Sequence, residues 1–283
     1  MPAHPASMGH QTTAPTTPPI SRNGTPALAS SFNAGMRQLP RDLREDAGEL
    51  YRLLRVTDDL VDDQKPEASD RLAAIENWAR REPFADTPET HILDNLSHRH
   101  SLPSHSLLEF CEGMRHDLTH GTIEDEDDLE HYCQCAGGSV GVILASMFGT
   151  SHPDGERKMA TLGRAFQRTN IIRDIDEDNE HGRLYIARTT IERFGSLSPG
   201  ARTELVRDQI ARADRLYDEG LGAIPLLSRG SRGMGLATAL YREILRQIER
   251  AGCGRTAGRV TVPAWRVQLL SAKSRLTRHH EAA

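Results

Sequence analysis

The sequence predicts an all-α fold, and three observations carry that reading. Most segments after residue 27 repeat apolar residues at helical spacing, sustained two-residue alternation of the strand type is scarce, and breaks between segments fall at proline or glycine. A chain of 283 residues is long enough for one core to serve it throughout, which gives a single domain over 27–278. Residues 1–26, MPAHPASMGHQTTAPTTPPISRNGTP, are rich in Pro and Thr, lack the charged and apolar regions of a signal peptide, and read as a disordered tail. Residues 279–283, opening on His279 and His280, read as a frayed terminus.

The first helix is predicted over 43–60, with apolar residues at Leu43, Ala47, Leu50, Leu53, Leu54 and Val56, and with Pro40 just before it, where a helix start tolerates proline. Pro66 precedes a second helix at 70–82, and Pro83 separates that from a third at 88–97. Pro103 opens a fourth at 104–118. A fifth, 128–148, contains a run of small residues. Pro153 introduces 155–179, Gly195 precedes 202–226, and helices at 233–251 and 263–277 complete the series.

Thirty-five basic residues against forty acidic ones leave a net charge of −5, and no extended basic stripe points to nucleic acid. No stretch approaches the roughly 18 apolar residues of a transmembrane helix. The cysteines Cys111, Cys133, Cys135 and Cys253 are too few and scattered for a disulfide framework, which favours a reduced cytoplasm. Cys133 and Cys135, two apart on a helix, point in different directions and make a poor zinc pair. His98, His100 and His105 lack a metal spacing and are assigned to a surface loop.

Chemistry concentrates in two aspartate-rich segments, Asp58-Asp59-Leu60-Val61-Asp62-Asp63 and Asp174-Ile175-Asp176-Glu177-Asp178. Four residues amount to about 400° of helical turn, so Asp58 and Asp62 share a face, as do Asp174 and Asp178. Two such faces brought together form a cage of hard oxygen ligands with positions open for water and phosphate, which suits Mg²⁺ bridging protein to a diphosphate. Gln167 and Asn170 continue the second stripe, with Ile171, Ile172 and Ile175 turned to the core. Arg55, Arg173 and Arg183 lie close by in sequence, and guanidinium groups bind phosphate bidentately. The alternative is a solvated polar face with ordinary ion pairs. Between these segments, Tyr132-Cys133-Gln134-Cys135-Ala136-Gly137-Gly138-Ser139-Val140-Gly141 places three glycines in a helical context, which calls for close approach of an apolar ligand or a neighbouring helix. It is no dinucleotide fingerprint, since no strand precedes it. Tyr132 reads either as a core tyrosine or as a polar group at the lip of a tunnel.

Together these motifs resemble the squalene and phytoene synthase family of head-to-head prenyl transferases. The resemblance rests on Ser31-Phe32, Arg55-x-x-Asp58-Asp59-x-x-Asp62, Gly113-Met114 with Asp117-Leu118, the Tyr132 to Gly141 stretch, Gln167-x-Thr169-Asn170-Ile171-Ile172-Arg173-Asp174-x-x-x-Asp178, Gly182-Arg183-x-Tyr185, Tyr241 to Leu245 and Arg259-Val260. It implies an isoprenoid synthase fold, a helical bundle around a central cavity. The implied reaction joins two farnesyl or geranylgeranyl diphosphates through a cyclopropyl diphosphate to a phytoene-, squalene- or presqualene-diphosphate-type product. It also implies that Asp58, Asp62, Asp174, Asp178 and Asn170 hold Mg²⁺, with Mn²⁺ as a substitute, and that Tyr132 steers or deprotonates the carbocation. Ser31, Phe32, Tyr51, Arg55, Gln167, Arg173, Arg183 and Tyr185 are the implied substrate-binding residues. The missing nicotinamide motif favours a reaction without NADPH, and an apolar product implies a peripheral membrane contact for release. Three positions depart from the family pattern: Leu28-Ala29-Ser30 before Ser31, Ile186-Ala187 where Leu-Pro is usual, and Cys253 in place of a tyrosine. A terpene cyclase on the same scaffold, ionising one diphosphate, is the second reading. A silent scaffolding relative would have eroded aspartates, and this chain keeps both pairs.

Overall fold

The computed structural model describes residues 33–276. The tail at 1–26, Ser31, Phe32 and the terminus at 279–283 lie outside the described residues. After a helical turn at 33–36, eleven α-helices follow: α1 Arg41–Asp62, α2 Ala68–Arg80, α3 Pro88–Ser97, α4 Ser104–Leu118, α5 Glu126–Cys133, α6 Ser139–Phe148, α7 Asp154–Glu180, α8 Arg188–Phe194, α9 Thr203–Gly220, α10 Ser231–Arg250 and α11 Ala264–Leu276. A π-helical segment, Gln134–Gly138, joins α5 to α6, and a 3₁₀ segment, Leu221–Leu226, extends α9. Among the described residues the β structure is a single bridge, Thr150 to Leu227.

The bundle is organised around α7, which packs against α5, the π segment, α6, α9, the 3₁₀ segment and α10. Polar anchors as well as apolar contacts fix its outer face. Arg168, 2% exposed, donates to Glu126 (2.9 Å), Gln209 (2.6 Å) and Glu130 (3.2 Å). Burying that guanidinium is tolerable because its partners sit on α5 and α9 and compensate its charge; an unpaired one would cost several kcal/mol. Asp176, inside the second aspartate run, takes two hydrogen bonds from Arg202 at 2.5 and 2.6 Å and one from the Gly258 amide at 2.7 Å. The Arg202 bonds hold its carboxyl below the usual range.

α1 packs on α2, α3, α4 and α6 and makes no substantial contact with α7. Its buried face, Leu43, Ala47, Leu50, Leu53, Thr57 and Val61, follows helical spacing. Val56 instead faces outward, at 37% exposure. His100 departs from its surface assignment, since its Nε2 lies 2.7 Å from the buried Asp46 carboxylate, and Arg99 donates to the same group at 2.9 Å. Together they tie the loop after α3 to α1. His98 is exposed on that loop, while His105 stands in the first turn of α4.

Two predicted helices are broken. The run 128–148 passes through the π segment, and 202–226 gives way to 3₁₀ at Leu221 ahead of Pro225, whose ring and missing amide forbid another α turn. The glycines explain the first break's surroundings. A Cβ on Gly137 would stand 2.4 Å from the Gly163 carbonyl oxygen, one on Gly163 2.1 Å from that of Gly137, and one on Gly141 2.2 Å from that of Met159. The small residues therefore admit a neighbouring helix, α7, to backbone contact. The sequence does not predict α8, a seven-residue helix that packs only Ile191 and Phe194 against the core, too short a pattern to read as a stripe.

Gly163→Ala is expected to lower stability by roughly 1–3 kcal/mol in urea unfolding, the usual cost of overpacking. Gly48→Ala, in α1 with no neighbour within 4 Å of the added methyl, should raise it by about 1 kcal/mol. Equal effects at the two sites would remove the close-contact argument.

Candidate active site

Beside its buried face, α1 carries Tyr51, Arg55, Asp58 and Asp62, spaced to form one stripe. Gln167, Asn170, Asp174 and Asp178 form the matching stripe on α7, half-buried beside the buried Arg168, Thr169, Ile171, Ile172, Arg173 and Ile175. The stripes line a cleft between helices that do not pack directly. Phe166 and Tyr241 stack nearby, centroids 4.3 Å apart and planes 11° from parallel, bringing α10 into the wall.

A turn closes the cleft at one end. Gly182, at φ 73°, reverses the chain after α7 in a conformation glycine adopts without strain. The Arg183 amide then bonds the Asp178 carbonyl at 2.8 Å, and its guanidinium crosses to α1, meeting Asp62 Oδ1 at 2.5 Å and the Asp62 main-chain oxygen at 3.2 Å. Arg55 pairs with Asp58 at 2.8 Å and Asp59 at 2.6 Å. Arg173 grips Asp174 in two-pronged fashion at 2.8 and 2.5 Å, and Arg259 reaches Asp174 at 3.2 Å and Glu177 at 2.8 Å. Every arginine assigned to phosphate from the sequence thus rests on a carboxylate here, and Arg259 joins them.

These pairs do not neutralise the cleft. Burial, reinforced by Asp62 and Asp117, raises the Asp58 pKa to about 7. Burial and the neighbouring Asp174 raise Asp178 to about 8, with Asp62 across the cleft contributing in the same direction. Asp58 still keeps 40% of its side chain accessible. Both facts hold for a carboxylate at the floor of a cleft, reached by water but walled by protein.

The donor set suits a hard divalent cation. All donors are oxygens, negative charge is in excess, and Asn170 Oδ1 is buried without a hydrogen-bond partner. Among the described residues, however, no three of these carboxylates converge enough to hold one ion by themselves. The carboxylates expected from the sequence to form a cage with positions open for water and phosphate are thus spread along a cleft, an arrangement that leaves coordination to be completed by other oxygens.

Tyr132 is 5% exposed and donates to Asp117 Oδ2 at 3.0 Å. Tyr185 donates to Asp117 Oδ1 at 2.8 Å, and the two rings stack at 5.0 Å. Burial and the adjacent Asp117 carboxylate push the Tyr132 hydroxyl well above its ordinary pKa, so the phenol stays neutral. The π segment immediately follows Tyr132, and such insertions cluster at functional sites. Tyr132 therefore stands as a neutral, buried phenol with Asp117 as its polar partner.

The structure brings Tyr51, Arg55, Asp58, Asp62, Tyr132, Gln167, Asn170, Arg173, Asp174, Asp178, Arg183 and Tyr185 to this region; Ser31 and Phe32 are outside the described residues. Asp117, Arg259 and Tyr241 were given no site role from the sequence. A buried aspartate on the apolar face of α4 and an arginine in a glycine-rich loop were the available signals. Ala187 caps α8, and Cys253, buried at φ 52°, terminates the turn after α10; neither touches the carboxylates. A separate cavity of about 770 Å³, lined by Trp78, Phe84, His98 and Leu102 among others, includes none of the site residues.

The model of the squalene/phytoene synthase family matches residues 26–266. A phytoene synthase of Thermus thermophilus is 30% identical over 260 residues, covering 88% of this chain and 89% of the relative. A presqualene diphosphate synthase of Sinorhizobium fredii is 36% identical over 177 residues, covering 61% of this chain and 63% of the relative. Among solved structures, a dehydrosqualene synthase in complex with ligand superposes with a TM-score of 0.78 at 24% identity, over 87% of this chain and 91% of that one. A squalene synthase from Alicyclobacillus acidocaldarius gives 0.67 at 25% identity, over 81% and 97%.

The raised carboxyl pKa values set a pH dependence. Aspartate in the unfolded chain titrates near ~3.9, so folding takes up protons at Asp58 and Asp178 between there and about 7 and 8. Their stabilisation is full below pH ~4 and is lost as pH rises through the folded values. Thermal melts of divalent-free protein should fall from pH 5 to 8, with Mg²⁺ restoring the loss. Asp178→Asn should melt at least ~2 °C higher than the parent at pH 8 without metal. A variant no more stable there would contradict the crowding argument.

Proposed function

The chain belongs to the squalene/phytoene synthase family, and on that premise we propose that it condenses two prenyl diphosphates head to head, with Mg²⁺, through a cyclopropyl diphosphate. One observation carries the reading: two carboxylate stripes face each other across a cleft, each held by arginines of phosphate-binding type. Bound divalent metal would supply Lewis-acid neutralisation of the departing diphosphate. Asp58 and Asp62 on one wall, and Asp174, Asp178 and Asn170 Oδ1 on the other, are the residues that would hold it.

The chain's own groups prepare each step. Arg55, Arg173 and Arg183 exchange carboxylate for phosphate oxygens, a trade that frees the aspartates and, at Arg173, keeps the two-pronged geometry. Gln167 offers its amide to the same ligand. Loss of diphosphate from one substrate leaves an allylic cation, and the double bond of the second attacks it. A carbon-bound proton must then leave as the cyclopropane closes. The Tyr132 oxygen accepts it while the phenol passes its own proton to Asp117, so the neutral tyrosine is regenerated and charge balances. Phe166 and Tyr241 add apolar surface that keeps water from the cation. We place the end point before any NADPH step, because the glycine-rich stretch is occupied by helix contacts and offers no dinucleotide cradle. The setting we propose is cytoplasmic, with peripheral docking on a membrane as apolar product departs. No helix among the described residues is long and apolar enough to cross one.

Purified protein incubated with Mg²⁺ and farnesyl or geranylgeranyl diphosphate, with and without NADPH, should yield a product containing two prenyl units. Asp58→Ala and Asp174→Ala should lower kcat by at least ~100-fold. A product with one unit would replace this reading by the cyclase. Tyr132→Phe should continue to release diphosphate while yielding less cyclopropyl product, measured by phosphate release against mass spectrometry; parallel loss of both would assign Tyr132 to folding instead.

A further inference from the structure

Away from the aspartate cleft, Glu112 on α4 faces His131 in the last turn of α5 and Cys135 in the π segment. His131 Nε2 lies 2.8 Å from Glu112 Oε1 and 3.7 Å from Cys135 Sγ, and one donor atom from each residue falls within 4.8 Å of the other two. We propose that these three side chains form a second metal site, selective for a zinc-class transition ion and distinct from the magnesium-type cleft.

The geometry and the ligand chemistry agree. Zinc bonds to sulfur at about 2.3 Å and to nitrogen or oxygen at about 2.0–2.2 Å, so tetrahedral ligands around one ion stand roughly 3.3–3.7 Å apart. The sulfur-to-nitrogen separation already matches, and the nitrogen-to-oxygen one must open by about half an ångström. Glu112 and His131 are exposed, so their side chains can make that adjustment, while Cys135 is 2% exposed and fixed by the helix. A thiolate and an imidazole select zinc-class ions over Mg²⁺, which prefers oxygen alone. Three protein ligands leave a fourth position for water. Glu109, bonded to Gln134 at 3.0 Å, adds negative potential beside the sulfur.

Binding requires proton release. Burial pushes the Cys135 thiol up to about 12, so the ion displaces that proton to solvent as the Sγ–metal bond forms. His131 turns its Nε2 lone pair to the ion and keeps one proton on Nδ1. The consequence is mechanical. Glu112 lies on the helix that carries Asp117, and His131 and Cys135 flank Tyr132, so one ion clamps both partners of the Tyr132–Asp117 hydrogen bond from outside.

The test uses the full-length protein, stripped by chelator and kept in excess Mg²⁺ so that the aspartates are occupied. Titration with Co²⁺ should produce a thiolate-to-metal charge-transfer band saturating at one equivalent, and Zn²⁺ should raise the melting temperature. Cys135→Ser should abolish the band, and Cys253→Ser should keep it. His131→Gln and Glu112→Gln, both at exposed positions, should weaken Zn²⁺ binding at least about tenfold; they carry the test by themselves if Cys135→Ser does not fold. A missing band, a band that survives in Cys135→Ser, or unchanged Zn²⁺ affinity in both exposed-site variants overturns the proposal. All readouts are independent of prenyl condensation.

Discussion

Everything in this structure is arranged around carboxylates that repel one another across a cleft. Asp58, Asp59, Asp62 and Asp117 gather on one side, Asp174, Glu177 and Asp178 on the other, and four arginines answer them. A helix bearing such a stripe has no intrinsic reason to enter a bundle. α7 does so because its remaining faces are fixed strongly: Arg168 and Asp176 are anchored by partners on other elements, and Gly163 meets Gly137 backbone to backbone. Those contacts offset the cost of holding like charges in a desolvated place, a common division between anchoring and functional faces.

The arginines have two roles in sequence rather than one in competition with the other. In the cleft they limit repulsion, and on the proposed reaction a diphosphate would offer them phosphate oxygens in place of carboxylate. Arg183 has the most constrained part. Its backbone closes the turn on Asp178 while its side chain holds Asp62, so it records the approach of α1 and α7 in one residue.

Most of this was legible wherever periodicity carries information. Helices α3 and α4 fall at the expected residues, 88–97 and 104–118, and the paired stripes follow from spacing alone. The π segment was not legible, because one extra residue per turn leaves apolar content unchanged and alters only register. α8 offers only Ile191 and Phe194 to the core, too few for a period to show. Arg259 stands in a loop whose position depends on Asp176 binding the Gly258 amide, a contact 82 residues away in sequence. Asp117 was visible as a motif residue, yet its partners Tyr132 and Tyr185 come from separate elements, and a composition-based reading cannot pair them.

That pairing separates two electrostatic tasks. The aspartate stripes concentrate negative charge where a diphosphate and its cations would be held, whereas Asp117 shares its charge with two phenols and is 8% exposed. A bare carboxylate beside an allylic cation would trap it as an ester. Two hydroxyl donors lower the nucleophilicity of both Asp117 oxygens and interpose a neutral ring between charge and cation. On the proposed chemistry, Tyr132 can then accept a proton only as fast as Asp117 takes one from it, which couples deprotonation to the carbon framework's arrival at that one wall. The π segment behind Tyr132 sets where this wall stands, so on that chemistry a change of register there would move the site of proton loss without altering any aspartate of the two stripes.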